Sequence, residues 1–574
     1  MAEDRCDECG VLSAFRSKPD VLELTESCSV EDGHGRCKPC SKFATLQAQI
    51  QEVQKTLLNL RAAQGSLISD INFQHSSFIR DIPNEVVRLI FSFCRDLSPR
   101  RSEESEFQSQ RLSMFPRRKK FQSQAFCMLR LGAICKKWRE IAWATPELWT
   151  SLRMPDIPEG SSPSFSLQVE LAKEWLGRTA NLSLDISLET QLSSRNPKFN
   201  LHVGKLIEAI NSYSGRWQCL DICIPKMYLF LFHNLSSETA QNEPERLQHL
   251  RLHGFRLLQK SRIAFNADGN PLKPTKVTLR LLYIRLLRIN WENVTSLTCT
   301  FLFMDECLEL IRLAPKMTDF AVSIAEGHDN LTTPSVPLIH SQLRKLTIAH
   351  NHAITMGFLF SKLTLPSLES FSYESDSAMA IQSNTLIELL ERSHPPLRHL
   401  YLARISMNNQ NFIDLMTRIP QLEELEILFE ERATYFDYFL VKLGATFWNH
   451  SESSSDLPFL PRLRSLKYQY YGDQLLCFDI IPIAFGKGVV SSDNATGNEK
   501  FRRPLQSLTI VIECRFRYVA MGRIQDPRLP KATVNTLLGL IENEGKTIEI
   551  SYSGVDLLRS YETLHSEDVD PEVE

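Results

Sequence analysis

One short phrase recurs along most of this chain and constrains its fold more than any other feature: an apolar residue, two others, an apolar residue, one other, an apolar residue. It reads LQHLRL from Leu247, VTSLTC from Val294, MTDFAV from Met317, LRKLTI from Leu343 and LESFSY from Leu368. It continues as LRHLYL from Leu397, LEELEI from Leu422, LRSLKY from Leu463 and LQSLTI from Leu505, with WQCLDI from Trp217 as a weaker first copy. Between Val294 and Leu422 the copies start 23 to 29 residues apart, which is room for one supersecondary unit each. Segments such as TLIELLERS and NFIDLMTRI, each followed within two residues by Pro, place helices between the phrases. Each unit therefore reads as strand, turn, helix, turn. A single unit cannot hide its apolar strand face, but a stack buries a continuous core. The spacing widens to 47 residues before Val294 and to 41 and 42 after Leu422, so insertions or degenerate copies fall there.

Composition narrows the function classes. With 574 residues the chain is too long for one core. Its 65 basic and 68 acidic residues leave a formal net charge of -3, unlike the basic stripe of a nucleic-acid binder. Apolar runs such as Leu279–Ile284 are short and interrupted by charge, so no membrane span is expected. The start, MAEDRCDECG, lacks the apolar stretch of a secretory signal. A cytoplasmic or nuclear location follows, with the 14 cysteines mostly reduced. Cys219, Cys223 and Cys299 sit among apolar residues and are expected to be buried.

The N-terminal residues 1–42 hold Cys6-x-x-Cys9 and Cys37-x-x-Cys40, with Cys28 and His34 between them. Two such pairs can deliver four thiolates to a structural zinc, with Cys6, Cys9, Cys37 and Cys40 as preferred ligands. A Cys-bearing tail without metal is the alternative. Over residues 43–76, Phe43, Leu46, Ile50, Val53, Leu57, Leu60, Gln64, Leu67 and Ile71 alternate by three and four. That is a heptad seam, fit either for a dimerising coiled coil over 43–71 or for a helix folding back onto its neighbour. No cofactor is required apart from that possible zinc.

Residues 78–152 predict a small helical module. Ile82-Pro83 ends an extended stretch, and Asn84 can cap a helix carrying Val86, Val87, Ile90, Phe91 and Cys94. A polar loop, about 97–123, includes the basic run Arg117 to Lys120, a solvated loop or a nuclear-import signal. A second helix then carries Leu129, Ala133, Ile134, Trp138, Ile141 and Ala142, and Leu148-Trp149 closes the unit. Ile82-Pro83-x-Glu85-Val86-Val87 with Ile90-Phe91, then Leu131-x-x-Ile134-Cys135-x-x-Trp138-Arg139-x-Ile141-Ala142, then Pro146-x-Leu148-Trp149, resembles an F-box of the large family in mushroom-forming fungi. The resemblance covers about 70 residues. Ile82 replaces the more usual Leu, and the loop is longer than in a minimal F-box. The resemblance implies a Skp-family adaptor of a cullin-RING ubiquitin ligase as partner, with Ile82, Pro83, Glu85, Val86, Ile90, Phe91, Ile134 and Trp138 at or beside its docking surface.

Behind it, residues 153–560 are similar to irregular leucine-rich repeats, followed by an acidic, disordered tail at 561–574. The fold class expected is mixed α plus α/β: an N-terminal coiled-coil helix, a small helical F-box, then a repeat solenoid. Within each phrase the residues between the apolar ones point to the concave face. That places His249, Arg251, Lys345, His399, Tyr401, Glu424, Glu426 and Lys467 on the surface expected to hold a protein substrate. No catalytic residues are expected. Gly539 to Gly545-Lys546-Thr547 misses the phosphate-loop spacing and has its helix before its strand, and Cys135 and Cys307 have no recognisable His partner. The resemblance implies a substrate receptor of a Skp-cullin-F-box ligase. The rival expectation is a zinc- and coiled-coil-mediated scaffold, or a transcription-associated protein, using its F-box for assembly without degradation.

Overall fold

A computed structural model describes residues 38–76, 81–96, 124–154, 162–189 and, with breaks, 197–559. The longest breaks are 236–246, 256–264, 326–335, 446–458, 486–504 and 514–528. The chain is mixed α/β, with a long N-terminal helix and a large, mostly parallel sheet. It divides into two compact units, residues 1–94 with 128–143, and residues 95–127 with 144–574.

The first unit is helical. Helix α1 (Lys38–His75) covers the heptads, and α2 (Asn84–Asp96) follows Pro83. The Val87 N–H donates to the Pro83 carbonyl at 3.1 Å, so the helix starts one residue earlier than a cap at Asn84 would place it. The helix expected from Leu129 to Ala142 is two, α3 (Gln124–Ile134) and α4 (Lys136–Trp143), broken at Cys135. The break is stabilised from both sides. Cys135 Sγ accepts the Trp138 N–H, Ser69 Oγ of α1 accepts the Lys136 N–H at 2.6 Å, and Asn72 Nδ2 donates to the Ile134 carbonyl at 2.8 Å. A helix end leaves unpaired amides and carbonyls, and here a neighbouring helix supplies their partners.

In the second unit a 15-stranded sheet runs from Ser151–Met154 to Val555–Asp556 with its strands in chain order. All its pairings are parallel except the last, between Thr547–Tyr552 and Val555–Asp556. Leu338–Ile339 and Leu363–Thr364 form a separate two-stranded sheet. Nine phrases start their strands at the third position (LRKLTI at Lys345–His350, LEELEI at Glu424–Phe429), while the weaker WQCLDI opens Trp217–Pro225. The three apolar members of every phrase are buried. The second position of successive phrases carries the ladder beyond the strands: the N–H of Arg344, Glu369, Arg398, Glu423 and Arg464 each donates to the carbonyl of the corresponding residue one unit back, at 2.7 to 2.8 Å.

The two kinds of wide spacing have different causes. Before Val294 a degenerate copy is present: Lys276–Arg280 pairs with His249–Phe255 on one side and Ser296–Leu302 on the other. After Leu422 the phrases at Leu463 and Leu505 pair directly, Glu424–Phe429 with Ser465–Tyr471 and that with Ser507–Glu513, so the extra length lies in the connections. One of these holds the helix Thr434–Ala445, whose Phe436 stacks on Tyr468 with centroids 3.6 Å apart. Leu148 and Trp149 are buried in this second unit. Trp149 meets Trp175 edge to face at 4.5 Å, and Trp175 Nε1 donates to the Trp149 carbonyl at 2.7 Å. By packing they close the sheet unit, a correction to their expected place in the helical module. The loop 97–123 and the tail 561–574 lie outside the described residues.

Candidate functional site

Helix α2 is apolar on more of its circumference than one core contact needs. Val87 and Phe91, four residues apart, are fully buried, and Phe91 meets Trp138 edge to face at 5.4 Å. On the adjacent side Val86, Leu89 and Phe93 are 41, 68 and 66% exposed, with Ile90 half-buried and Pro83 exposed. Spacings of three and four align these residues in one stripe. Soluble proteins seldom leave large contiguous apolar patches in water.

The geometry corrects two of the eight expected docking residues. Phe91 (0% exposed) and Trp138 (6%) are core, because the interior side of α2 needs large side chains against α4. They support the surface from beneath. Pro83, Glu85 and Val86 are exposed, Ile82, Ile90 and Ile134 half-buried, and the Ile82 carbonyl accepts Lys137 Nζ at 3.1 Å. Leu89 and Phe93 were not singled out from the sequence. The signal was present, since RLIFSFC leaves more apolar residues than one stripe can bury.

In the sheet unit, residues between the buried positions form accessible rows set by the parallel register. His249, Arg251, Lys345, His399, Tyr401, Glu424, Glu426 and Lys467 all stand on these rows, half-buried or exposed. The structure brings five together. His399, Glu424 and Ser465 align on adjacent strands, as do Tyr401, Glu426 and Lys467. Lys467 Nζ lies 2.6 Å from Glu426 Oε1, and His399 Nε2 3.7 Å from Glu424 Oε2. Lys345 is two strands away, and His249 and Arg251 a further four, about 19 Å at normal strand spacing. Between the two patches, the row that joins Arg251 to Tyr401 holds the short, uncharged Thr278, Thr298, Ala321, Thr347 and Ser372, while the neighbouring row from His249 to His399 carries the charged Lys276, Asp319 and Lys345.

Each patch has members beyond the expected set. Arg251 Nη1 is 3.9 Å from Asp221 Oδ2. In the other patch Gln469 Nε2 donates to Glu513 Oε1 at 3.0 Å. Burial, reinforced by the Glu513 carboxylate, pushes the Tyr471 phenol up, so it stays protonated. Gln469, Tyr471 and Glu513 occupy the third and fourth outward positions of long strands, past the end of the phrase. Continued alternation in LRSLKYQYY was the sign of them. Partly exposed ion pairs are worth about 0–1 kcal/mol each, so a partner can exchange them at little cost.

The cysteines divide. Cys299 and Cys307 are buried and burial pushes both thiols up, which disfavours the nucleophilic thiolate. Cys219 and Cys223 are half-buried on the accessible rows, a correction to their expected burial. Burial, with the charges of Asp185 and Asp221, pushes Cys219 up to about 12. Gly545 (φ 63°) ends the helix Lys531–Glu544 in the left-handed conformation, its N–H committed to the Ile541 carbonyl, as a helix-ending turn requires.

Of the candidate zinc ligands, Cys6, Cys9 and Cys37 lie outside the described residues, and Cys40 falls in the first turn of α1. Among the described residues no group of three or more His, Cys, Asp and Glu could hold a metal ion, and no helix is long and apolar enough to cross a membrane. No protein-family model matches this chain, and no curated protein matches it.

Proposed function

We propose that this chain is the substrate-recognition subunit of a Skp-cullin-F-box ubiquitin ligase, working in the cytoplasm or nucleus. The helical unit, which resembles an F-box, docks a Skp-family adaptor through Pro83, Val86, Leu89, Ile90 and Phe93. The sheet unit, read as an irregular leucine-rich-repeat solenoid, binds a target protein on its accessible rows, and the patch around Tyr401, Glu426 and Lys467 is the favoured contact. Binding and presentation are its whole task, and the chemistry belongs to the ligase that it joins.

The observation that carries this reading is the stripe on α2. Val86, Leu89 and Phe93 stay exposed while Val87 and Phe91 on the adjacent side are buried. Burying three such side chains can contribute on the order of 5 kcal/mol to association before its entropic cost. Co-expression with a Skp-family adaptor tests it. Leu89→Glu and Phe93→Glu should each abolish co-purification while the protein stays folded, and Arg88→Glu beside them should have a much smaller effect. Undiminished capture of the adaptor by the Leu89 and Phe93 variants would overturn the assignment.

A further inference from the structure

Among the described residues none covers the heptad seam of α1, from Phe43 to Ile71. Phe43 is 37% exposed, and the other apolar members are 47 to 67% exposed. With Phe43 taken as position a of the heptad, Ser69 and Asn72 fall at f and b, on the far side from the a/d seam. Those two residues make the contacts to the α3–α4 break. The helix therefore joins its own module by its polar back, and the seam is not the face used for that contact.

We propose that a second copy of this chain covers the seam, the two α1 helices forming a parallel, in-register coiled coil that makes the protein a homodimer. Three features select this occupant. The apolar spacing alternates strictly by three and four over the whole seam, a period of 3.5 that suits a helix partner wound around it. Gln64 is the one polar member, at position a. In a parallel pair its amide meets Gln64 of the second copy, donor to acceptor, whereas an antiparallel pair with a facing d sets it against Leu46 and buries it unsatisfied. The flanking positions agree: a parallel pair places Asp70 opposite His75, Thr56 opposite Arg61 and Lys42 opposite Gln47, with no like charges facing. A dimer would present two copies of the accessible sheet rows, raising the avidity for a target with repeated epitopes. The proposal does not depend on the adaptor reading.

The full-length chain tests it. Sedimentation should give twice the single-chain mass, and Val53→Glu with Leu60→Glu should yield a monomer whose main thermal transition is unchanged. Oxidised Gln64→Cys should give a peptide linking position 64 to position 64, identified by mass spectrometry. Leu89→Glu should leave the dimer intact, which separates this result from loss of adaptor binding. A monomeric wild-type chain overturns the proposal, as does a dimer that survives both glutamates. A link from 46 to 64 in a variant carrying Leu46→Cys and Gln64→Cys would overturn the parallel arrangement.

Discussion

Phe91 and Trp138 meet edge to face under α2, with ring planes 76° apart, while Leu89 and Phe93 of α2 are exposed. Phe91→Ala should destabilise the helical unit by about 3–5 kcal/mol, the usual cost of removing a buried aromatic side chain. Chemical denaturation would show it, while Leu89→Ala and Phe93→Ala should shift stability little and affect only adaptor capture. A second residue-scale prediction concerns alkali. Tyr373, buried in the sheet core, is pushed up from 10.0 to about 12 by burial, and Cys219 from 9.0 to about 12. Both hold a proton in the folded state that the unfolded chain releases, so their stabilisation is complete below pH 9 and is lost as pH rises from there through 12. Each can remove at most about 1.4 kcal/mol per pH unit. Urea midpoints should fall across that window, and the fall should be shallower in Cys219→Ala and Tyr373→Phe. Equal slopes in all three proteins would contradict the assignment.

At the scale of elements, helix α1 contacts its own module through one face and leaves its heptad face exposed. Ser69 and Asn72, three residues apart, pair one amide and one carbonyl at the α3–α4 break. Ser69→Ala should cost about 1 kcal/mol, the usual loss for a helix cap, and should speed amide exchange at Lys136 and Trp138, measurable by mass spectrometry. A change confined to other residues would show that the bracket carries no energy. This device was not legible beforehand, because SLISDIN gives no sign of what Ser69 and Asn72 will face. The Cys135 break was hidden for a related reason: Leu129 to Ala142 keeps helical spacing through it. The heptads, in contrast, were plain in the sequence, since a seam of that period depends only on local spacing.

For the whole molecule, strands that lie in chain order make contacts chiefly with their neighbours, so damage should stay local. Tyr468 is fully buried, stacked on Phe436 and close to Phe429 and Tyr470. Tyr468→Ala should cost about 3–5 kcal/mol, with faster amide exchange concentrated in Glu424–Phe429, Ser465–Tyr471 and Ser507–Glu513. Trp217–Pro225 lies many strands away and should keep its protection, as expected when cooperativity is passed between nearest neighbours. Uniform loss of protection would show that the sheet behaves as one cooperative block.

Ten of the sheet's 15 strands and their inward side chains follow from the phrase, because alternation buries every second residue whatever the distant chain does. The sequence also determined the helical module and the heptad face, whose signals are periods of a few residues. Tertiary structure decided the remainder. It decided that Phe91 turns inward while Leu89 and Phe93 turn out, and that Trp149 packs on Trp175. It also decided that Arg251 stands far from Tyr401 and Lys467 although all three share one pattern position. Each of these depends on which surfaces meet across long sequence separations, and a local period carries no information about that.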